Sequence, residues 1–286
     1  MNRNNMVKKA SVLGIIGNIF LLIIKGAIGF LTNSQAMIAD FFNSAGDVFS
    51  SIMTFIGNKI ASVPNDEDHN LGHGKAEYIY SMLISIVMLL TSFLVFKDSF
   101  ISIFKINNIV FSGWLIIVCL TTIAVKLLLY IYTNNMSHKL NNLLLKTNSL
   151  DHRNDCVVTT LNLLSCILSI NGIHYIDGIT GCIISIWLFI SAIKIFKESY
   201  DILIDKSMNE EQRRQIYDII KNYKDIKKVT HFNSTPVGYK YQISFSIFVD
   251  ENMTTKESHA IADKLEKEIA NTIDDIYLTV IHVNPI

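Results

Sequence analysis

What most limits the fold of this chain is the length of its apolar runs. About six stretches reach the ~20 residues an α-helix needs to cross hydrocarbon, at roughly 9–31, 36–60, 78–97, 109–133, 143–170 and 176–200. Beyond Leu203 the chain becomes polar. Only 17% of all residues are charged, against about 25% in an ordinary soluble domain. The first run follows a basic start but lacks a small-residue cleavage site, and Asn18 and Lys25 interrupt it. It reads as an uncleaved first span. The expected architecture is a multi-pass α-helical membrane domain over 1–206 and a small soluble domain over 207–286.

Lysine and arginine placement sets the orientation. Arg3, Lys8, Lys9, Lys59, Lys75, Lys139, Lys146 and Lys206 fall on one side of the six spans, and mainly Lys97 and Lys105 on the other. Both termini are therefore expected in the cytoplasm, with the cell membrane as host. Cys119, Cys156, Cys166 and Cys182 all lie within spans without C-x-x-C spacing, which argues against a disulfide framework or a thiolate zinc site. They read as small residues packing between helices. The net charge is +0, and nothing points to a nucleic-acid partner.

The tail has its own order. Ser207 to Glu210 fits a capping box, followed by Ile216, Ile219, Ile220 and Tyr223 at helical spacing. Residues 226–232 read as a strand, Pro236 and Gly238 as a turn, and Tyr241, Ile243, Phe245, Ile247 and Val249 as the inward side of a second strand. Thr254 and Glu257 form another capping box before a helix with Ile261, Leu265 and Ile269 on one face, and 276–283 close the chain as a strand. Helix, strand, strand, helix, strand is the order of a ferredoxin-like α+β domain.

The second and fifth spans break the apolar pattern. Asn43 and Asp47 are four residues apart, as are Asp151 and Asp155, and Asp40 precedes Asn43 by three, so each group lies on one stripe of its helix. A carboxylate at the bilayer centre costs roughly 2.5–3.5 kcal/mol on the insertion scale. Such groups are kept where something is bound or moved. Two facing helices would offer four oxygen-bearing side chains at one depth, enough for a cation. The competing reading begins span five later, leaving Asp151 and Asp155 as an acidic first turn beside Lys146 and Arg153. Asp40 suits a place behind the ligands better than direct ligation. The loop after span two carries Asp66, His69 and His73, residue types that suit a divalent transition metal and also an ordinary solvated loop.

With Ala39 to Ser51, the string Gly72-His73-Gly74-Lys75-Ala76-Glu77 and His152-Arg153-Asn154-Asp155 in this order, the chain resembles the cation diffusion facilitator family of metal transporters. The resemblance implies a homodimeric exporter, not an enzyme, that holds a divalent metal at Asn43, Asp47, Asp151 and Asp155 and exchanges it for protons by alternating access. It also implies a loop metal site at Asp66, His69 and His73, and a charge pair of Lys75 with Asp205 joining membrane domain and tail. His231, His259 and His282 fall on tail metal positions of the family, but Ser244 and Asn284 replace its histidine and aspartate there. Zinc members carry histidine in the membrane site, whereas this chain offers one amide and three carboxylates. Oxygen ligands suit Mn2+, and the Asn-Asp and Asp-Asp pairing resembles that of the family's manganese exporters, which implies Mn2+ first, then Fe2+, then Zn2+ or Co2+. Clustered carboxylates also favour proton uptake when metal is absent. Two other classes remain at this point: a membrane hydrolase with an aspartate dyad, and a metal-sensing membrane dimer that moves nothing.

Overall fold

The computed structural model describes residues 3–32, 35–104, 113–170 and 175–286; the side chains at 32–40, 42, 43 and 165–170, with a few others, fall outside that description. Six long helices come first: α1 (Arg3–Thr32), α2 (Gln35–Ala61), α3 (Ala76–Phe104), α4 (Gly113–Leu140), α5 (Leu143–Ile170) and α6 (Tyr175–Leu203). Then follow α7 (Glu210–Lys221), β1 (Lys228–Val237), β2 (Lys240–Val249), α8 (Thr255–Thr272) and β3 (Ile276–Pro285). The chain divides into two compact units, one of Met1–Ser62 with Ala76–Tyr200, the other of Val63–Lys75 with Asp201–Ile286. The sequence boundary near 206 leaves the loop 63–75 with the helices, whereas its contacts place it with the tail.

Among the described residues, Arg3–Ile28, Ala76–Ile101 and Ile116–Leu140 are each long and apolar enough to cross a membrane. Their outer faces are apolar: Ile16, Phe20 and Ile23 on α1, Phe93 and Leu94 on α3, and Leu127, Leu128 and Ile131 on α4 are all exposed. Inside, Ile84 and Met88 of α3, Leu144 of α5 and Ala192 of α6 form a packed cluster. Gly57 permits close approach of α2 to α3, since a Cβ there would stand 2.7 Å from Tyr80 Cβ. Some buried hydroxyls are satisfied by carbonyls one turn back, as with Thr54 Oγ1 on Ser50 O and Thr147 Oγ1 on Leu143 O. Cys119, Cys156 and Cys182 are not in disulfides, and the side chain of Cys166 lies outside the described residues.

One end of this bundle is tied by a charge cluster. Arg3 Nε donates to Leu140 O at 2.9 Å and Arg3 Nη2 to Glu77 Oε2 at 3.0 Å. The other carboxylate oxygen of Glu77 accepts from the Leu143 backbone N–H at 2.6 Å, at the first turn of α5. A carboxylate there answers the positive end of the helix. The N-terminus of α1, the start of α3 and the α4–α5 turn thus share one set of bonds.

In the second unit β2 is central, antiparallel to β1 and parallel to β3, with α8 as the crossover. Ile243, Phe245, Ile247 and Val249 of β2 pack on Ile216, Ile219 and Ile220 of α7 and Leu265 and Ile269 of α8. This is the expected ferredoxin-like order, with two corrections. The cap of α7 is Asn209, which accepts from Gln212 N–H, and not Ser207; Asn is as good a cap as Ser, and Met208 is buried in the core just before it. Strand β1 runs on through Pro236, because an edge strand tolerates the missing N–H, and a bulge at His231 (φ 53°) hides its alternation. The turn is Gly238-Tyr239, with Gly238 at φ 61° as a two-residue hairpin demands. Thr254 and Glu257 form the expected capping box, and mutual hydrogen bonding with Thr254 holds the exposed Glu257 carboxyl below its usual range. The loop 63–75 meshes with the hairpin: a Cβ on Gly74 would lie 2.8 Å from Gly238 Cα.

Removing Glu77 takes away the carboxylate that meets both Arg3 and the first N–H of α5. We expect Glu77→Ala to lower the stability of the helical unit by about 2–3 kcal/mol, read as the denaturation midpoint of detergent-solubilised protein; an unchanged midpoint would show that the cluster contributes nothing.

Candidate metal centre

Helix α2 supplies Asp47 and helix α5 supplies Asp151 and Asp155, and one carboxylate oxygen from each lies within 4.8 Å of the others. Asp47 is 7% exposed. The cluster exists because the four-residue spacing on α5 stacks two carboxylates on the stripe that packs against α2. Helix α5 begins at Leu143, so Asp151 lies about 12 Å along it and is no acidic first turn. Nor do the nearby basic residues neutralise it. Lys146 pairs with Glu198 at 2.6 Å, and the Arg153 guanidinium stands 4.4 Å from the centre of the Trp187 ring. Asp151 Oδ2 is buried without a hydrogen-bond partner, as is Ser44 Oγ. Asn43 sits one turn before Asp47 on α2, but its side chain and that of Asp40 lie outside the described residues.

The cation that meets the carboxylates is Lys126 of α4, which the sequence reading passed over. Its Nζ donates to Asp47 Oδ2 at 2.7 Å and to Asp155 Oδ2 at 2.5 Å, with the side chain 1% exposed. The signal was present: a lone lysine inside the apolar run Leu120 to Tyr132 is itself an intramembrane charge that needs a partner. Further polar groups line the interior. Asn18 Nδ2 donates to Asp47 O at 3.1 Å and Ser51 Oγ at 2.9 Å, and Asn148 Nδ2 donates to Thr54 Oγ1 at 3.2 Å. The amide oxygens of Asn18 and Asn148 and both ring nitrogens of fully buried His152 are unpartnered within the protein. Polar side chains inside a helical bundle of this kind are kept where they find partners or serve a function.

A second cluster lies in the other unit. His69 Nδ1 is 3.1 Å from Asp66 Oδ1 and His73 Nε2 is 3.6 Å from Asp66 Oδ2, so the three offer ligand atoms within 4.8 Å. His73 Nδ1 faces Pro64 O at 3.3 Å, which turns Nε2 toward the cluster. The His69 backbone N–H holds the exposed Asp66 carboxyl below its usual range. Lys75 donates to Asp205 at 2.6 Å, and both belong to this same unit. The tail histidines are not gathered. His231 and His282 lie on the outer strands β1 and β3, about 10 Å of sheet apart, and His259 on α8 is 3.6 Å from Asp263. Among the described residues no cluster of three ligand types includes them. His259 and Asn284 do share one surface pocket with Asp250.

Comparison with known proteins covers both units. A family model described as the cation efflux transmembrane domain matches residues 11–204, and one described as the cation efflux protein cytoplasmic domain matches 208–286. The manganese efflux system protein MneP of Bacillus subtilis is 26% identical over 99% of this chain and 97% of its own length. An uncharacterised transporter of Methanocaldococcus jannaschii is 28% identical over 97% of this chain and 98% of its own. A solved metal-bound C-terminal domain of the CzcD transporter from Thermotoga maritima is 28% identical, covering 27% of this chain and 94% of that one at a TM-score of 0.27.

The Lys75–Asp205 pair is 37% and 55% exposed at its two side chains. Exposed pairs contribute little, so Lys75→Ala is expected to cost less than about 1 kcal/mol in the thermal unfolding of the protein; a larger loss would mark the pair as structural.

Proposed function

This chain belongs to the cation efflux family, and on that premise we propose that it exports a divalent metal from the cytoplasm in exchange for protons, manganese(II) ahead of iron(II), and iron(II) ahead of zinc(II) or cobalt(II). The observation that carries this reading is the meeting of buried Asp47 with half-buried Asp151 and Asp155, a ligand cluster that holds three carboxylates and, among the described residues, no imidazole or thiolate. A hard oxygen set suits manganese(II) better than it suits zinc(II), which usually recruits nitrogen or sulfur. Asn43, one turn from Asp47, would complete the set with an amide oxygen. The full-length likeness to a manganese efflux protein supports the same metal.

Proton exchange rests on the same groups. A carboxylate that ligates metal must be deprotonated, so metal and protons compete for Asp47, Asp151 and Asp155. Antiport needs that competition together with two states open to opposite sides. The match of residues 208–286 to the family's cytoplasmic domain, with the lysine-rich loops, supports cytoplasmic termini and a homodimer joined through the tail. In the loop, exposed Asp66 and His69 with half-buried His73 make a softer set that fits a regulatory transition metal. The tail histidines His231, His259 and His282 would need a partner protomer to complete any site.

Flux of manganese and zinc into proteoliposomes under an imposed pH gradient tests the proposal. Wild type should move manganese with protons; Asp47→Ala and Asp155→Ala should each lose at least about 100-fold of the rate, as loss of a charged ligand worth ~3 kcal/mol implies. Asn43→His should gain zinc flux relative to manganese by adding an imidazole. Zinc flux alone in the wild type would sink the manganese assignment. No flux of any divalent ion would favour a metal-sensing dimer.

A further inference from the structure

We propose that the Lys126 ammonium is a tethered stand-in for the cargo: it occupies the seat between Asp47 and Asp155 when no metal is bound, and a divalent cation loads by displacing it. The inference rests on the reading of these carboxylates as the transport site. Its own warrant is the placement of Lys126. A lysine that served only to balance charge could sit beside the cluster and pair with one carboxylate. This one reaches between the helices and donates to one oxygen of α2 and one of α5, Asp47 Oδ2 and Asp155 Oδ2, at 2.7 and 2.5 Å. Those are two of the three residues whose oxygens come within bonding reach of a common ion.

The two cations exclude one another on distance. Metal–oxygen bonds for small divalent ions are about 2.0–2.2 Å long. An ion bonded to the same two oxygens would overlap an ammonium already seated on both, and the repulsion of like charges at that separation is steep. The third carboxylate supports a divalent seat: the ammonium is in direct contact with two carboxylates, Asp47 and Asp155, while Asp151 Oδ2 is buried with no hydrogen-bond partner. A doubly charged ion with more ligand positions satisfies all three. Departure also has a destination. Thr122 lies one turn before Lys126 on α4, is 1% exposed, and has a hydroxyl without a hydrogen-bond partner. Helical side chains lean toward the N-terminus of their helix, so a retracting lysine meets that hydroxyl.

Such an arrangement filters cations by valence. A monovalent ion that replaces one ammonium gains no charge interaction, whereas a divalent ion gains one at each carboxylate. Metal affinity is also set by how often the lysine vacates the seat, because apparent affinity scales with the competent fraction.

The experiment compares manganese binding by purified full-length wild type and Lys126→Ala in detergent by calorimetry, with and without excess methylammonium chloride, using choline chloride to hold ionic strength. We expect the alanine variant to bind manganese at least about tenfold more tightly, as for a seat filled nine-tenths of the time. Methylammonium should compete with manganese in the variant, entering the seat the tether left, and have no effect on wild type. Equal or weaker binding by the variant overturns the inference, and so does tighter binding that methylammonium leaves untouched. The manganese-loaded wild-type structure gives a check that needs no variant: Lys126 Nζ still within hydrogen-bond distance of both Asp47 and Asp155 would refute displacement. Failure of wild type and variant alike to bind any divalent ion would instead overturn the transport-site reading, and this inference with it.

Discussion

Three carboxylates inside a bundle whose outward faces are Ile, Leu and Phe raise the free energy of the fold unless a cation meets them. In this chain Lys126 meets two of them, and in doing so ties α2, α4 and α5 to one point. The rest of the helical unit is arranged around that requirement. Helices α2 and α5 carry the polar residues and lie against each other, while α1, α3 and α4 present long apolar rows outward. The asparagines 18 and 148 and the serines and threonines of α2 hold the interior with directed hydrogen bonds where an apolar core would only fill space.

The two units are therefore stabilised differently. The tail buries Ile, Leu and Phe between one sheet and two helices, and its polar groups serve mainly as caps and turn bonds. The helical unit has no comparable aqueous drive, since lipid is as apolar as its side chains, and relies on close approach at Gly57 and on paired charges such as Arg3 with Glu77. Substitutions of equal size should not be equally felt in the two.

Much of this was legible from residues alone. The six helices follow from the length of apolar runs, and the tail order from period and caps, because both signals are local. Asp47, Asp151 and Asp155 announced themselves by cost: charge at membrane depth demands a reason. Lys126 carries the same cost but is a single charge within the apolar run Leu120 to Tyr132, without a partner at i+4 to make a motif. Its meaning is tertiary, given only when α4 packs on α5. The cap at Asn209 and the length of β1 were misplaced for a simpler reason. Ser207 and Asn209 are equivalent caps on paper, and a bulge at His231 breaks the alternation by which a strand is recognised. The loop 63–75 was assigned by sequence adjacency to the helices, and nothing local to it reveals that Gly74 fits against Gly238.

That fit changes how the chain may be divided. The backbone passes between the two units after Ser62, after Lys75 and after Tyr200, so the second unit is built from the loop 63–75 as well as the tail. A protein cut at residue 206 would keep the loop and lose the hairpin that Gly74 is shaped to meet. The helix that ends in this loop is the one that carries Asp47. Removing the tail therefore takes away the partner of the loop that follows this helix, and a shortened protein that loses its activity would report on a disrupted loop as much as on a missing regulator.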